Sequence, residues 1–235
     1  MSMTGLPDGG RERRSAGVRP AADPGALLSD WMTGAVTGDT RLQPRLLRLA
    51  DGHLLPLDVE RWAGPASAAD ATLLERASGP VLDVGCGPGR LTAALHGAGV
   101  EVLGLDVLPA VPVLARRAGA PVHVGDVFAP LPREDGWRTV LLADGNLGIG
   151  GDPARLLRRL AELLAPDGVV LAELHPGSGE RRGRVRLEAL GSASTWFPWS
   201  LVAPDAVPAL AERSGLAVVE QWSAGGRPFA ALAQR

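Results

Sequence analysis

Between residues 79 and 176 the apolar positions follow two alternating rhythms. PVLDV (80–84), VEVLGLD (100–106), PVHVGD (121–126), RTVLLAD (138–144) and GVVLAELH (168–175) are short apolar runs. Such runs predict strands buried on both faces. Between them lie GRLTAALHGAG (89–99), LPAVPVLARRAG (108–119) and DPARLLRRLAELLAPDG (152–168). Their apolar residues recur every three or four positions and each segment ends at a glycine, which predicts amphipathic helices. Pro109 and Pro112 must then lie in or near a first turn. Strand alternating with helix implies an α/β fold, a doubly wound and mostly parallel sheet.

The flanking segments are less regular. LLSDWMTG (27–34) predicts a short helix, RLLRLADGHLLPLD (45–58) a hairpin about Asp51-Gly52, and SAADATLLERASG (67–79) a helix stopped by Gly79. Residues 177–202 read as a long loop, 203–215 as a helix, and LAVVEQW (216–222) with RPFAALAQ (227–234) as a C-terminal antiparallel hairpin at one sheet edge. Residues 1–25 are rich in Gly, Pro, Arg and Asp without periodicity and predict a disordered tail.

Composition narrows the chemistry. A chain of 235 residues, 46% hydrophobic and 21% charged, suits one globular domain with a tail. The net charge of −2 argues against a general polyanion binder, so no nucleic acid is expected. All 24 basic residues are arginine, and Tyr is absent too. Without Lys there is no Schiff-base enzyme and no Walker A loop. The Tyr/Lys pair of short-chain dehydrogenases is excluded for the same reason. Cys86 is the one cysteine, so neither an internal disulfide nor a Cys-rich zinc site forms. His53, His96, His123 and His175 are too scattered to indicate a metal site. No apolar run approaches the ~18 residues of a membrane span, and no apolar segment follows the N-terminal arginines, so a cytoplasmic protein without a membrane partner is expected.

The most informative segment is VLDVGCGPGR, Val81 to Arg90. A buried strand runs into Gly85, Gly87 and Gly89 and then a helix begins, which brings backbone and free amides close to a polar ligand. A dinucleotide fingerprint starting at Gly85 needs glycine at position 90, where Arg90 stands.

Asp83-Val84-Gly85-Cys86-Gly87-Pro88-Gly89 resembles the nucleotide-loop motif of class I S-adenosylmethionine (SAM)-dependent methyltransferases. The resemblance runs from about Gly79 to Leu174, and the terminal hairpin fits that family's seven-stranded sheet. It implies SAM as cofactor, with Gly85, Cys86, Gly87 and Gly89 around the methionine part and Asp83 fixing the loop. Asp106, followed by Val107, matches the acidic position that binds both ribose hydroxyls; a carboxylate accepts two hydrogen bonds at once. Asp126, Val127 and Phe128 match the position beside the adenine.

The segment ADGNLGIGGDP (143–153) departs from the family. Many small-molecule members carry a His pair where Gly148 and Ile149 fall, and the N/D-P-P-Y/F motif of nucleic-acid and glutamine enzymes is missing. Asp144 and Asn146 stand at the carboxyl end of a central strand, where doubly wound sheets bind ligands. Asp144 is a candidate for the SAM amine, the substrate or the loop cap; Asn146 is a candidate site residue or a turn residue. His175, ending the fifth strand of the run, is the candidate general base.

Two segments are expected to cover the substrate: 26–65, and a loop insertion at 177–202 in the domain 66–235. The second holds Trp196 and Trp199 as candidate substrate contacts. The expected activity is methyl transfer to a small molecule of secondary metabolism, at O, N, C or S, with alignment doing most of the catalysis. The alternatives are a SAM-binding protein of the same fold with no transfer or another reaction, or an RNA or protein methyltransferase.

Overall fold

The computed structural model describes residues 21–38, 45–189 and 191–235. In chain order the elements are α1 (Pro24–Thr37), β1 (Leu46–Leu49), β2 (Leu54–Pro56), α2 (Val59–Ala63), α3 (Ala68–Leu74), β3 (Val81–Val84) and α4 (Arg90–Gly97). There follow β4 (Val102–Asp106), α5 (Val111–Ala118), β5 (Val122–Val124), β6 (Trp137–Leu142), a 3₁₀ segment Asn146–Gly151, α6 (Pro153–Leu163) and β7 (Leu164–Glu173). The chain ends with β8 (Glu180–Ala189), β9 (Ser192–Ala193), β10 (Phe197–Val202), α7 (Val207–Arg213), β11 (Leu216–Ala224) and β12 (Arg227–Gln234).

The main sheet has seven strands in the order β11-β12-β7-β6-β3-β4-β5. β3, β4, β5, β6 and β7 run parallel, and the β11–β12 hairpin adds antiparallel to β7 at one edge, as the sequence predicts. β3 is buried at all four positions. Leu82 and Val84 pack against α6, while Val81 packs with Leu73 of α3 and Leu91 and Leu95 of α4, so helices cover both faces. α6 starts where Asp152 caps the amides of Ala154 and Arg155 with Pro153 just inside. Its leucines 156, 157, 160 and 163 are all buried.

A second, antiparallel sheet has the order β10-β8-β1-β2, with β9 also paired to β8. This corrects the reading of 177–202 as a loop. β8 puts Val185 and Leu187 inward and Arg184, Arg186 and Glu188 outward, and so many arginines disguise a half-buried strand. α1, α5 and the inner face of this sheet share one apolar cluster built around Trp31, Met32, Leu47, Val111 and Leu187. The expected tail also ends earlier than residue 25. Ala22 bridges to Ser194, and Asp23 caps α1 by accepting from Ala26 N at 2.9 Å. Residues 1–20 of that tail, and 39–44 of the expected cover segment, lie outside the described residues.

Candidate active site

The loop after β3 is hung on its neighbours by backbone bonds. Gly85 N and Cys86 N both donate to the Leu105 carbonyl, at 2.7 and 3.1 Å. Asn146 donates from Nδ2 to the carbonyls of Val84 and Gly85, each at 2.9 Å. Gly85 has a φ of 74°, and a Cβ there would stand 2.5 Å from Asn146 Nδ2, so no larger residue fits this turn. Beneath it Asp83 is almost fully buried and accepts from Thr92 Oγ1 at 2.7 Å. Burial pushes its carboxyl up to about 6, against the pull of the Thr92 bond and of Arg90.

Asp106 ends β4 and accepts from Gly87 N at 2.9 Å and Leu108 N at 3.0 Å, one amide on each oxygen. A carboxylate has about four lone-pair sites, so about two remain. Burial raises the pKa of this group, and the backbone bonds oppose it.

A cavity of about 620 Å³ opens at the carboxyl ends of β3, β4, β6 and β7. Asp83, Gly85, Cys86, Gly87, Asp106 and Val107 line it. So do Asp126, Val127, Asp144, Asn146, His175 and Trp199. The structure thus brings most of the nominated residues to one site and sets three outside it. Gly89 packs against α5 and the chain just beyond it, where an added Cβ would stand 3.3 Å from Ala115 Cβ and 2.7 Å from Ala120 Cβ. The Phe128 ring lies under the Arg155 guanidinium at 4.1 Å, and the Trp196 ring under Arg186 at 5.0 Å on the outer side of the second sheet. Neither ring lines the cavity, and Phe128 also packs against the main core. Asp126, also at the cavity, is exposed and accepts from Phe128 N at 2.9 Å.

The floor carries a network of three arginines and three carboxylates. Arg90 bonds Asp70 and, at 2.6 Å, Asp144; Arg61 Nη2 stands 2.9 Å from the other oxygen of Asp144. Arg227 contacts Asp70 at 2.8 Å and Glu173 at 2.6 Å, and Asp144 N donates to Glu173 at 2.6 Å. Burial acts to raise Asp70, but hydrogen bonds from Arg90, Ser67 and Arg227 outweigh it and hold this carboxyl well below the usual range. Burial raises Asp144 despite Arg90. Asp144 has a φ of 55°, a conformation Asp tolerates better than most residues, and both of its oxygens face arginines. Arg61, Arg90 and Glu173 escape sequence reasoning, although two carried a signal. A cation in the first turn of a helix opposes the helix dipole, so Arg90 needs a buried partner. Glu173 is a buried charge closing the apolar run 169–172 at the end of β7.

His175 leaves β7, donates its backbone N–H to Val202 O at 2.8 Å, and makes no side-chain hydrogen bond among the described residues. Burial, helped by the charge of Arg181, lowers its pKa, so the imidazole is neutral at pH 7 and able to accept a proton. Among the described residues no group of three or more His, Cys, Asp or Glu is arranged for a metal ion, and no helix is long and apolar enough to cross a membrane.

Residues 60–221 match the family model described as a methyltransferase domain. No curated protein matches the sequence. Among solved structures, a SAM-dependent methyltransferase from Bacteroides fragilis, in complex with S-adenosyl-L-homocysteine (SAH), aligns with a TM-score of 0.73 at 22% identity, over 92% of this chain and 97% of that one. The CcbJ methyltransferase from Streptomyces caelestis aligns at 0.54 and 20% identity, over 74% and 92%. The sugar N-methyltransferase KedS8 from Streptoalloteichus aligns at 0.52 and 19% identity, over 72% and 87%. At these identities the likeness is one of fold.

Proposed function

This chain belongs to the methyltransferase-domain family, and on that premise we propose that it moves a methyl group from SAM to a small-molecule acceptor. The observation that carries the reading is Asp106. It is a carboxylate at the cavity, pinned by two backbone amides beside the glycine loop, with lone pairs left for a pair of hydroxyls. That donor set fits the ribose of SAM, and the SAH complex of the Bacteroides fragilis protein supports the choice.

When bound, the cofactor supplies a methyl group already activated by a sulfonium. Asp106, with Val107 beside it, would accept from the ribose hydroxyls. The loop Gly85–Gly87 backs the methionine part, and Asp83 stiffens that loop from below through Thr92. Asp126 and Val127, both at the cavity, would hold the adenine. His175 takes the proton from the acceptor's nucleophile. Asn146 and Asp144 act as positioning residues, since Asn146 Nδ2 is committed to two carbonyls, Asp144 Oδ2 bonds Arg90, and Asp144 Oδ1 faces Arg61 as an ion pair.

A small acceptor is supported by the walls of the cavity, where α1, α2 and the second sheet stand over the carboxyl ends of the main-sheet strands. Walls of this kind exclude water and fix the in-line approach. Calorimetric titration with SAH tests the reading. Wild type is expected to bind at micromolar affinity, and Asp106→Ala to lose roughly 1.5–3 kcal/mol. Equal affinities would overturn the assignment.

A further inference from the structure

The register of the second sheet sets a continuous apolar wall along one side of the cavity. Leu55 pairs with Leu47, and Leu47 with Leu187, so three strands present one row of leucines on the same face. Further along that face Phe197 stands opposite Val185, and Trp199 opposite Gly183. Leu47, Leu55, Leu187, Phe197 and Trp199 all line the cavity. Phe197 and Trp199 meet edge to face, with ring centroids 6.1 Å apart and planes at 82°.

These five side chains carry one hydrogen-bonding group, the indole N–H of Trp199. Of the neighbouring polar groups, Arg61 Nε and Trp62 Nε1 have no hydrogen-bond partner among the described residues, and others are engaged. Ser200 Oγ donates to the Gly151 carbonyl at 2.8 Å, and Arg61 is drawn to Asp144 at 2.9 Å. Of the carboxylates at the cavity, Asp83, Asp106, Asp126, Asp144 and Glu173 stand on or just after strands of the main sheet, on the other side. Asp58, just after β2, caps α2 by accepting from Arg61 N at 3.1 Å.

Resting on the methyltransferase reading above, we propose that the acceptor is a flat, largely apolar ring system carrying a single nucleophilic heteroatom, and not a sugar. A hydroxylated ring pressed on this wall leaves its hydroxyls without partners, and each one so buried weakens binding by about tenfold or more. An aromatic ring buries apolar area against the leucines and finds the ring edges of Phe197 and Trp199. Its heteroatom faces the remaining polar side, where His175 is the imidazole that receives the proton.

The test is calorimetry on the full chain loaded with SAH, titrated with a panel of bicyclic phenols and heteroaromatic amines against a panel of amino sugars. The aromatic panel is expected to bind at least tenfold more tightly. Leu55→Gln and Phe197→Gln are each expected to weaken the aromatic probes about tenfold while SAH affinity stays at the wild-type value. Aromatic probes that bind no tighter than the sugars overturn the acceptor class while leaving the methyltransferase reading in place, and this comparison needs no variant. Folded variants that keep wild-type affinity for the aromatic probes overturn it as well. A wild-type chain that fails to bind SAH overturns the methyltransferase reading, and the acceptor class falls with it.

Discussion

Asn146 and Gly85 form a lock: the amide of one donates to the carbonyl of the other at 2.9 Å, in a space where any Cβ on Gly85 would stand 2.5 Å from the donor. The lone asparagine of the chain thus sets the shape of the glycine loop. Asn146→Asp turns the donor toward two carbonyls as an acceptor. Calorimetry is expected to show SAH affinity reduced by about 1–3 kcal/mol, the cost of leaving such groups unpaired. Wild-type affinity in the variant would remove the lock from the account.

Arg90 joins two carboxylates from a nearly buried position, one of them Asp70, which has no exposed side-chain surface. With three arginines set against three carboxylates, removing Arg90 leaves one negative charge in excess in a buried network. Arg90→Ala is expected to lower stability by about 3–5 kcal/mol. Arg90→Lys keeps the charge but cannot fork to both partners, so it falls between. Urea unfolding checks the order, which fails if the alanine variant equals wild type.

His175 is expected to matter to rate and not to cofactor binding. His175→Ala should lower kcat by about 10²–10⁴ and leave SAH affinity unchanged. Burial lowers the pKa of this imidazole, so the acid limb of kcat/KM should bend below the ordinary histidine value of 6.5 and vanish in the variant. Nearly full activity of the variant from about pH 6 to 9 would end the case for a histidine base.

Asp83 predicts a pH dependence of stability with a definite sign. Its carboxyl titrates near 6 in the fold against about 3.9 in an unfolded chain. Between those values the native state holds a proton that the unfolded state has lost, so this group's contribution falls as pH rises from about 4 to about 6. Asp83→Asn removes the term. Its stability relative to wild type should climb across that window by an amount on the order of 3 kcal/mol. A flat difference in urea midpoints between pH 4 and 7 would refute it.

What the sequence shows and what it hides divide along a physical line. The main sheet is legible because each parallel strand is buried on both faces, so PVLDV or RTVLLAD announces itself locally. The glycine-loop side of the cavity is legible because its glycines and acids sit at the ends of strands that the local pattern reveals. The second sheet is not, because β8 has only Val185 and Leu187 fully buried among arginines, and its partners lie far off in the chain. The arginine-carboxylate floor escapes for the same reason. Asp70, Arg90, Asp144, Glu173 and Arg227 come from five separate segments, and nothing local pairs them. Trp196 and Trp199 are equally aromatic in sequence, but Trp199 stands in β10 on the cavity side while Trp196, just before that strand, lies under Arg186.

The same long separation governs when the pocket comes into being. β1 and β2 are made roughly 130 residues before β8, the strand that β1 pairs with on its other edge. At ordinary rates of synthesis that delay is on the order of ten seconds. During it the short hairpin has no third strand to lean on, and such hairpins are marginal alone. The glycine loop and β3–β6 precede β8 in the chain, so the cofactor's half of the cavity can form first. The apolar wall of the second sheet waits for the last quarter of the chain, and a stalled or truncated product would carry the glycine-loop side of the cavity without the wall that closes it.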